Sequence, residues 1–592
     1  MENKEKKEML KIKMSTMQRQ FRYNQQGYSL IKCMVLRFSL LSIHKNLLSI
    51  RECDGNVVKY FSYLRDNVQD NLESISKELG SQFRDLVLDC IVSFSTYNEK
   101  DSGFEQALYI MEELTLQEIK DFIINGVQNF TYRDNCGTPI SLCELVEKLF
   151  NANGRVVVAD YGCANGDFLV NYAKNNPNNK YLGYEINYDA KLLAKIRLTF
   201  LNVDNVIQEE NILKNNNFMK ADFIFSEPPF GMKIGNIFRA DYERAQITGL
   251  NLRLTQTSEW MFIDKILSNL NKNGKGIIVV PEGILTNQFD IEQRRYLVEN
   301  NSIETVIKLP NSFFQTTSIS TSLLILSNNK LNNNYKFIDA SEMYCEQGRT
   351  KILLVDEIIK SYKNDSNVVS LEKIRENNYV LSANRYKSLK DLKIENPVKL
   401  SELVEDIFRG PQISADILNK YSTSEKSNDV YKIVSSGDIV NGMFDTNKLE
   451  KIKIKKNYDR YLLQNNDLLI SCKSTKVKTS IVEIGEGERI IPSGSIIVVR
   501  CKTQRLNPVY LKMFFDSNVG IKLLASIQTG TIIISINPTA LEIIDIACLP
   551  IEKQNKLANK YLSTLDMLKL ERKKIETLEN KLATMLDEDM ED

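Results

Sequence analysis

Ala221-Asp222-Phe223-Ile224-Phe225-Ser226-Glu227-Pro228-Pro229-Phe230-Gly231 is the stretch whose reading decides the fold. Phe223 to Phe225 is a short apolar run, suited to a buried strand of a parallel sheet. Two prolines then stop it, because proline cannot continue a ladder and holds the residue before it extended. A stiff loop carrying Glu227 and Phe230 is therefore predicted at the carboxyl end of a strand, where open α/β sheets keep their ligand sites.

Upstream, Val156-Val157-Val158-Ala159-Asp160-Tyr161-Gly162-Cys163-Ala164-Asn165-Gly166-Asp167-Phe168-Leu169 reads as a β-branched strand, a tight glycine-containing turn and a helix start. Such a turn lets a ligand approach the backbone, with helix amides nearby. Tyr181 to Glu185 predicts a second strand ending in an acid. Asn205 to Glu210 predicts a third, with Asn211 as the rival to Glu210 for its terminal polar group. In doubly wound folds an acid after the second strand takes ribose hydroxyls. Gly137-Thr138-Pro139 precedes an amphipathic stretch, Ile140 to Phe150, and a proline there favours a helix start.

These elements together resemble the amino-group DNA methyltransferases. Ser226-Glu227-Pro228-Pro229-Phe230 is similar to their catalytic loop, in which Asn, Asp or Ser precedes Pro-Pro and an aromatic. The resemblance implies that Glu227 and the Pro228 carbonyl accept hydrogen bonds from the amine of a flipped base, with Pro229 stiffening the loop and Phe230 stacking on the base. Glu227 stands where Asn is expected; a carboxylate can still accept from an amine, but it is longer and charged. The family's cofactor turn is Asp-Pro-Ala-Cys-Gly-Ser-Gly-Gly-Phe-Leu, which Asp160, Cys163, Gly166, Phe168 and Leu169 match, while Ala164 and Asp167 replace glycines. The resemblance implies an S-adenosylmethionine site lined by Gly137, Thr138, Pro139, Asp160, Gly162, Cys163, Asn165, Gly166, Asp167, Phe168, Glu185 and Glu210. No Pro-Cys nucleophile is present, which argues against cytosine C5 chemistry; N4-cytosine shares the loop pattern with N6-adenine.

Further along come Thr257-Ser258-Glu259-Trp260, Gly274 to Leu285, Arg294-Arg295-Tyr296-Leu297, Val306 to Pro310, Phe313-Phe314 and Ser320 to Leu326. That order is similar to the modification subunits of type I restriction systems. Trp260, the single tryptophan, reads as a helix core residue. Residues 1–130 read as a helical amino-terminal domain, from segments such as Phe83 to Val92 with apolar residues three and four apart. The basic run Lys4 to Lys13 reads as a solvated terminus. Residues 131–330 are expected to form the catalytic domain and 331–397 a connector.

Residues 398–550 look like one target-recognition domain of a type I specificity subunit, on Leu400 to Pro411, Asn466 to Ser471, Pro492 to Arg500, Gln528-Thr529-Gly530 and Leu549 to Gln554. Lys473, Lys476 and Lys478 stand in a Ser/Thr-rich stretch suited to phosphate and base-edge contacts with double-stranded DNA. Residues 551–592 are expected to form a long spacer helix. Tyr561, Leu565, Leu568, Ile575, Leu578 and Leu582 approximate a heptad stripe along it. The resemblance implies pairing of that helix with a second copy or with a separate specificity protein, and a restriction nuclease subunit as a further partner; a helix packed back on its own module is the alternative.

The 592 residues allow three or four domains, and the net charge of +1 leaves nucleic acid to be held by local basic patches. No apolar run approaches a membrane span and the amino terminus has no signal core, so a cytoplasmic protein with no membrane partner is expected. Ten scattered cysteines without a Cys-x-x-Cys pair, and the single His44, argue against a zinc site, a disulfide framework and a His-dependent triad. The expected fold is thus a Rossmann-like α/β class I methyltransferase domain, with a helical domain before it and an α+β recognition domain after it. The expected activity is site-specific adenine methylation in a restriction or phage-defence system; the alternative is an impaired, DNA-binding scaffold, suggested by Glu227.

Overall fold

The strand that begins at Val157 is buried along almost its whole length, and the rest of the first unit is built outward from it. The structure is a computed structural model. It describes residues 26–588 apart from 93–101, 127–136, 153, 217, 235–248, 251, 253–255, 315–316, 329, 331–332, 349, 365–367, 391–393, 395, 424–429, 454–456, 474–476, 486 and 529–534. Two units meet in sequence at Ala383 and Asn384.

In the first unit β1 (Val157–Tyr161), β2 (Lys180–Glu185), β3 (Asp204–Glu209), β4 (Ala221–Ser226), β5 (Leu270–Pro281), β6 (Ile303–Lys308), β7 (Thr321–Ser327) and β8 (Asn334–Asp339) are followed by the hairpin β9 (Tyr344–Gln347) and β10 (Thr350–Leu353), then β11 (Val368–Ser370). Nine of these form one sheet in the order β11-β8-β6-β7-β5-β4-β1-β2-β3. β1 pairs parallel with β2 and β4, and β4 pairs parallel with β5, while β7 runs antiparallel between β5 and β6. The chain winds one way from β1 to β3 and the other way from β4 to β5. Loops leaving β1 and β4 therefore diverge, and a crevice opens at their carboxyl ends. Central strands buried on both faces need near-continuous apolar runs, which Val157 to Ala159 and Ile277 to Val280 supply.

Residues 334–370, read from sequence as part of a connector, contribute β8 and β11 to this sheet. The helices Gln26–Ser42, Val57–Asp70, Leu72–Leu79, Ser81–Val92, Ser102–Glu112 and Leu116–Asp121 share a core with it. Phe38 and Phe83 meet Phe200 at ring separations of 4.8 and 5.2 Å, and Lys32 bonds Asp189 at 3.1 Å.

The second unit contains β12 (Pro397–Lys399), β13 (Val404–Arg409), β14 (Val430–Val434), β15 (Glu450–Lys453), β16 (Leu468–Ser471), β17 (Thr479–Ile481), β18 (Ile490–Pro492), β19 (Ile496–Cys501) and β20 (Asp545–Ala547). They form a four-stranded sheet β13-β19-β16-β17, a three-stranded sheet β15-β14-β18 and the pair β12-β20. The helix Ile551–Glu588 follows. Its base is fixed by the fully buried Gln554, which accepts from the Asn507 amide at 2.9 Å and donates to the Leu549 carbonyl at 2.7 Å. Among the described residues no helix is long and apolar enough to cross a membrane, and no group of three or more His, Cys, Asp or Glu could hold a metal ion.

Candidate functional site: the strand ends of β1, β2 and β4

Parallel pairing sets Asp160 opposite Gly183 of β2 and Phe225 of β4, so the ends of three strands stand side by side. After β1 the chain turns through Gly162 at φ +85° and Gly166 at φ +77°. At Gly166 an added Cβ would stand 2.9 Å from the Ala194 methyl, so glycine is required both for the turn and for the approach of the next helix. Ala164, between them, holds φ +44°, a left-handed conformation unusual for a residue with a side chain. The amides of Gly162 and Cys163 donate to the Tyr184 carbonyl at 2.9 and 3.1 Å.

Glu185 ends β2, and its carboxylate accepts from the amide of Ala164 at 2.9 Å and from that of Asn187 at 2.8 Å. It therefore shapes the glycine turn as well as facing the crevice. Glu210 follows β3. Its amide donates to the Glu185 carbonyl at 2.9 Å, and its carboxylate accepts from the Asn211 amide and the Asn215 side chain, both at 3.1 Å. Asn211, the rival, turns its Oδ1 to the Leu213 amide at 3.0 Å. Cys163 is buried, and Phe168 lies in the core with its ring 4.5 Å from that of Phe225. Asn165 is buried, and its Oδ1 accepts from Tyr28 at 3.4 Å.

Asp167 opens the helix Asp167–Asn175, and Arg197 of the helix Tyr188–Phe200 meets it at 2.6 Å. The same guanidinium donates to the carbonyls of Asn165 at 2.7 Å and Ile124 at 3.0 Å. Sequence reasoning missed Arg197. The signal available was Asp167 itself, an acid where the related turn has glycine, which called for a buried partner.

The loop after β4 begins with Ser226, whose hydroxyl donates to the Tyr161 carbonyl at 2.7 Å and ties the two strand ends together. Pro228 is buried and Pro229 exposed. Phe230 is half-buried, its ring edge-on to Phe314 at 5.8 Å. Beyond it the chain zips to residues 256–258, with Ile234 donating to the Gln256 carbonyl at 2.8 Å and Ser258 to that of Met232 at 2.7 Å. Glu259 is fully buried and accepts from the Gly231 amide at 2.7 Å. Trp260 is fully buried beside it, in the core of the helix Glu259–Asn269.

Thr138 stands close enough to Glu227 for its hydroxyl to favour the ionised carboxyl. Gly137 and Pro139 flank Thr138, with Pro139 capping the helix Ile140–Phe150. Burial pushes Glu227 up to about 8; Thr138 opposes that and nearby Asp167 adds to it. Asp160 is pushed well above the usual carboxylate range by burial, and then by Glu227, Glu185 and Asp167. Asp160 Oδ1 and Glu227 Oε2 are closed off from solvent without a hydrogen-bond partner. Buried acceptors of this kind call for donors. A ribose hydroxyl, an amine or a sulfonium-bearing cofactor would meet that need, so the residues fit the expected donor molecule.

In the second unit Lys473 is exposed and bridges antiparallel to Ser535. Lys478 donates its ammonium to the Ser436 carbonyl at 3.0 Å, so it secures a loop of its own module. Lys476 and Thr529-Gly530 lie outside the described residues, as does the run Lys4 to Lys13.

Comparison with known proteins follows the same outline. Residues 128–395 match the family N-6 DNA Methylase. The methylase subunit of the type I restriction enzyme MpnII of Mycoplasma pneumoniae is 25% identical over 357 residues, covering 51% of this chain and 65% of that protein. The MjaVIII methylase subunit of Methanocaldococcus jannaschii is 23% identical over 303 residues, covering 46% of this chain and 52% of that protein. The chain thus spans between half and just under two thirds of the length of these curated relatives. The crystal structure of the type IIG restriction endonuclease BpuSI superposes with a TM-score of 0.50 at 12% identity, covering 92% of this chain and 74% of that one. The first unit has the Rossmann-like α/β fold of class I methyltransferases.

Proposed function

We propose that this chain is a site-specific DNA methyltransferase acting on N6 of an adenine flipped out of double-stranded DNA. The observation that carries the reading is the placement of Glu227 and Asp160, at the ends of adjacent strands, each with a carboxyl oxygen buried and unpartnered. S-adenosylmethionine, when bound, would supply an activated methyl group to the amine lone pair. Asp160, Glu185 and the turn Gly162 to Asp167 would hold that cofactor, with Gly137, Thr138 and Pro139 closing its side and Glu210 placed for its adenine. Glu227 and the Pro228 carbonyl would grip the substrate amine. Phe230 would leave its edge contact with Phe314 to stack on the base, offsetting part of the unstacking cost. The second unit would read the site, with Lys473 on a phosphate. A specificity protein or a second copy of this chain, and a restriction nuclease subunit, would complete a type I-like assembly.

A second reading is favoured by one observation: Glu227 is longer than the usual Asn, and its Oε2 is buried without a partner. Misplacing an acceptor by about 1 Å can cost on the order of a hundredfold in rate. The chain would then be a sequence-reading scaffold for an active partner. Transfer of tritiated methyl groups to random-sequence duplex DNA separates the two, with Glu227→Asn assayed alongside. Incorporation by the wild type supports the enzyme; incorporation by the variant alone establishes the scaffold.

A further inference from the structure

Among the described residues, the ionisable groups set against Glu227 include two acids and a buried thiol. Asp167 bears on it from the start of the helix Asp167–Asn175. Glu227 in turn raises Asp160 of β1, which is also charged against Glu185 of β2. Cys143, on the helix Ile140–Phe150, senses Glu227, Asp160 and Asp167 together. Two cations described nearby are already engaged: Arg197 with Asp167 and the carbonyls of Asn165 and Ile124, and Lys174 with Asn125. Thr138 offers one neutral hydroxyl, and Glu227 Oε2 is left buried and unpartnered. A loop that merely ended a strand would leave its carboxylate in water.

We infer that Glu227 stores a proton which a positively charged cofactor displaces and a neutral one does not. The inference rests on the S-adenosylmethionine reading above and deepens it. Burial holds the acid form through neutrality, to about 8. An opposite charge within reach of a carboxyl lowers its pKa by roughly one to three units. The sulfonium form of the cofactor brings that charge; S-adenosylhomocysteine, a thioether, does not. Glu227 is therefore ionised when the methyl donor is in place and free to accept the substrate amine. Its Oε2 then takes up the proton that the amine sheds. With the spent cofactor it stays a neutral acid. The Glu-for-Asn replacement becomes a sensor of which form occupies the crevice.

The test is calorimetric titration of the full chain with S-adenosylmethionine and with S-adenosylhomocysteine, in phosphate and in Tris at about pH 7.5, where the buffer dependence of the heat counts protons. The expected result is release of roughly half a proton or more beyond that seen with S-adenosylhomocysteine. In Glu227→Gln that excess should collapse. In the wild type the ratio of the two affinities should also climb roughly tenfold toward the donor between about pH 6.5 and 8.5, then flatten. Equal proton release for both ligands, an excess that survives in Glu227→Gln, or a pH-independent affinity ratio would each overturn the proposal. The ratio needs no variant, so it decides the matter even if Glu227→Gln folds poorly. Failure of both ligands to bind would instead sink the cofactor reading itself.

Discussion

Arg197 and Asp167 form an ion pair with 2.6 Å between Nη1 and Oδ1, and both side chains are withdrawn from solvent. The pair explains how the turn after β1 tolerates an acid at Asp167. The guanidinium also takes the carbonyls of Asn165 and Ile124, so one side chain ties the turn, the crossover helix and the helical segment near residue 124. Removing one partner of such a pair strands the other charge in the interior.

Arg197→Met should therefore destabilise the first unit by about 3–5 kcal/mol. Adding Asp167→Ala should recover a good part of the loss, because no charge is then left unpaired. Urea unfolding of the single and double variants measures the coupling. Additive losses would reject it.

Ala164→Gly should stabilise the turn. The left-handed conformation costs an alanine about 1 kcal/mol that glycine does not bear. The hydrogen bond that the Ala164 backbone amide donates to the Glu185 carboxylate survives the change. Thermal unfolding should show a small rise in Tm, and a drop would mean the alanine methyl makes a contact worth more than the strain.

Glu259→Ala should loosen the catalytic loop without touching the cofactor turn. It removes the acceptor that fixes the Gly231 amide and empties the space of a fully buried side chain. Methyl-transfer kcat should fall while cofactor affinity holds. Trp260, the single tryptophan, is buried next to the substitution, and its emission should shift to the red. A fall in cofactor affinity equal to the fall in kcat would place Glu259 in the wrong subsite.

Stability without cofactor should decline as pH rises. Glu227 titrates from 4.5 when unfolded to about 8 when folded, so between those values the folded form binds the extra proton. Its contribution is fully present below about pH 4.5 and gone above about pH 8, and a shift of this size is worth a few kcal/mol. Asp160, shifted in the same direction, adds its own slope. Urea midpoints measured across the window should fall less steeply in Glu227→Gln than in the wild type. Parallel slopes would show that the acid titrates normally.

The helix Ile551–Glu588 should be a pairing surface. Its 38 residues extend about 57 Å. Leu568, Ile575 and Leu578, spaced as the sequence suggested, are 45%, 54% and 61% exposed, while the side chain of Leu582 lies outside the described residues. Replacing the three with serine should convert a sedimenting dimer to a monomer. A wild-type monomer at micromolar concentration would leave a separate specificity protein as the partner.

Much of the site was legible because its signals are local. A β-branched run, a glycine turn, a Pro-Pro stop and acids at strand ends announce themselves within a few residues of each other. The helical character of residues 57–92 likewise follows from apolar spacing. Arg197 gave no such signal. It lies thirty residues from Asp167, in a helix with nine of thirteen residues buried, and only packing decides what its guanidinium meets. The edge contact of Phe230 with Phe314 and the approach of Thr138 to Glu227 join segments 84 and 89 residues apart, which no periodicity connects.

The sequence by itself determined that strands would end close to Asp160, Glu185, Glu210 and Ser226, with β3 stopping one residue early at Glu209, since backbone propensity and proline geometry act over short range. Only the tertiary structure decided that β8 and β11 extend the sheet, that β7 inserts antiparallel between β5 and β6, and that one carboxyl oxygen of Glu227 is closed off from solvent near Asp167. Strand pairing and desolvation depend on which surfaces exclude water together, and that is a property of the folded chain as a whole.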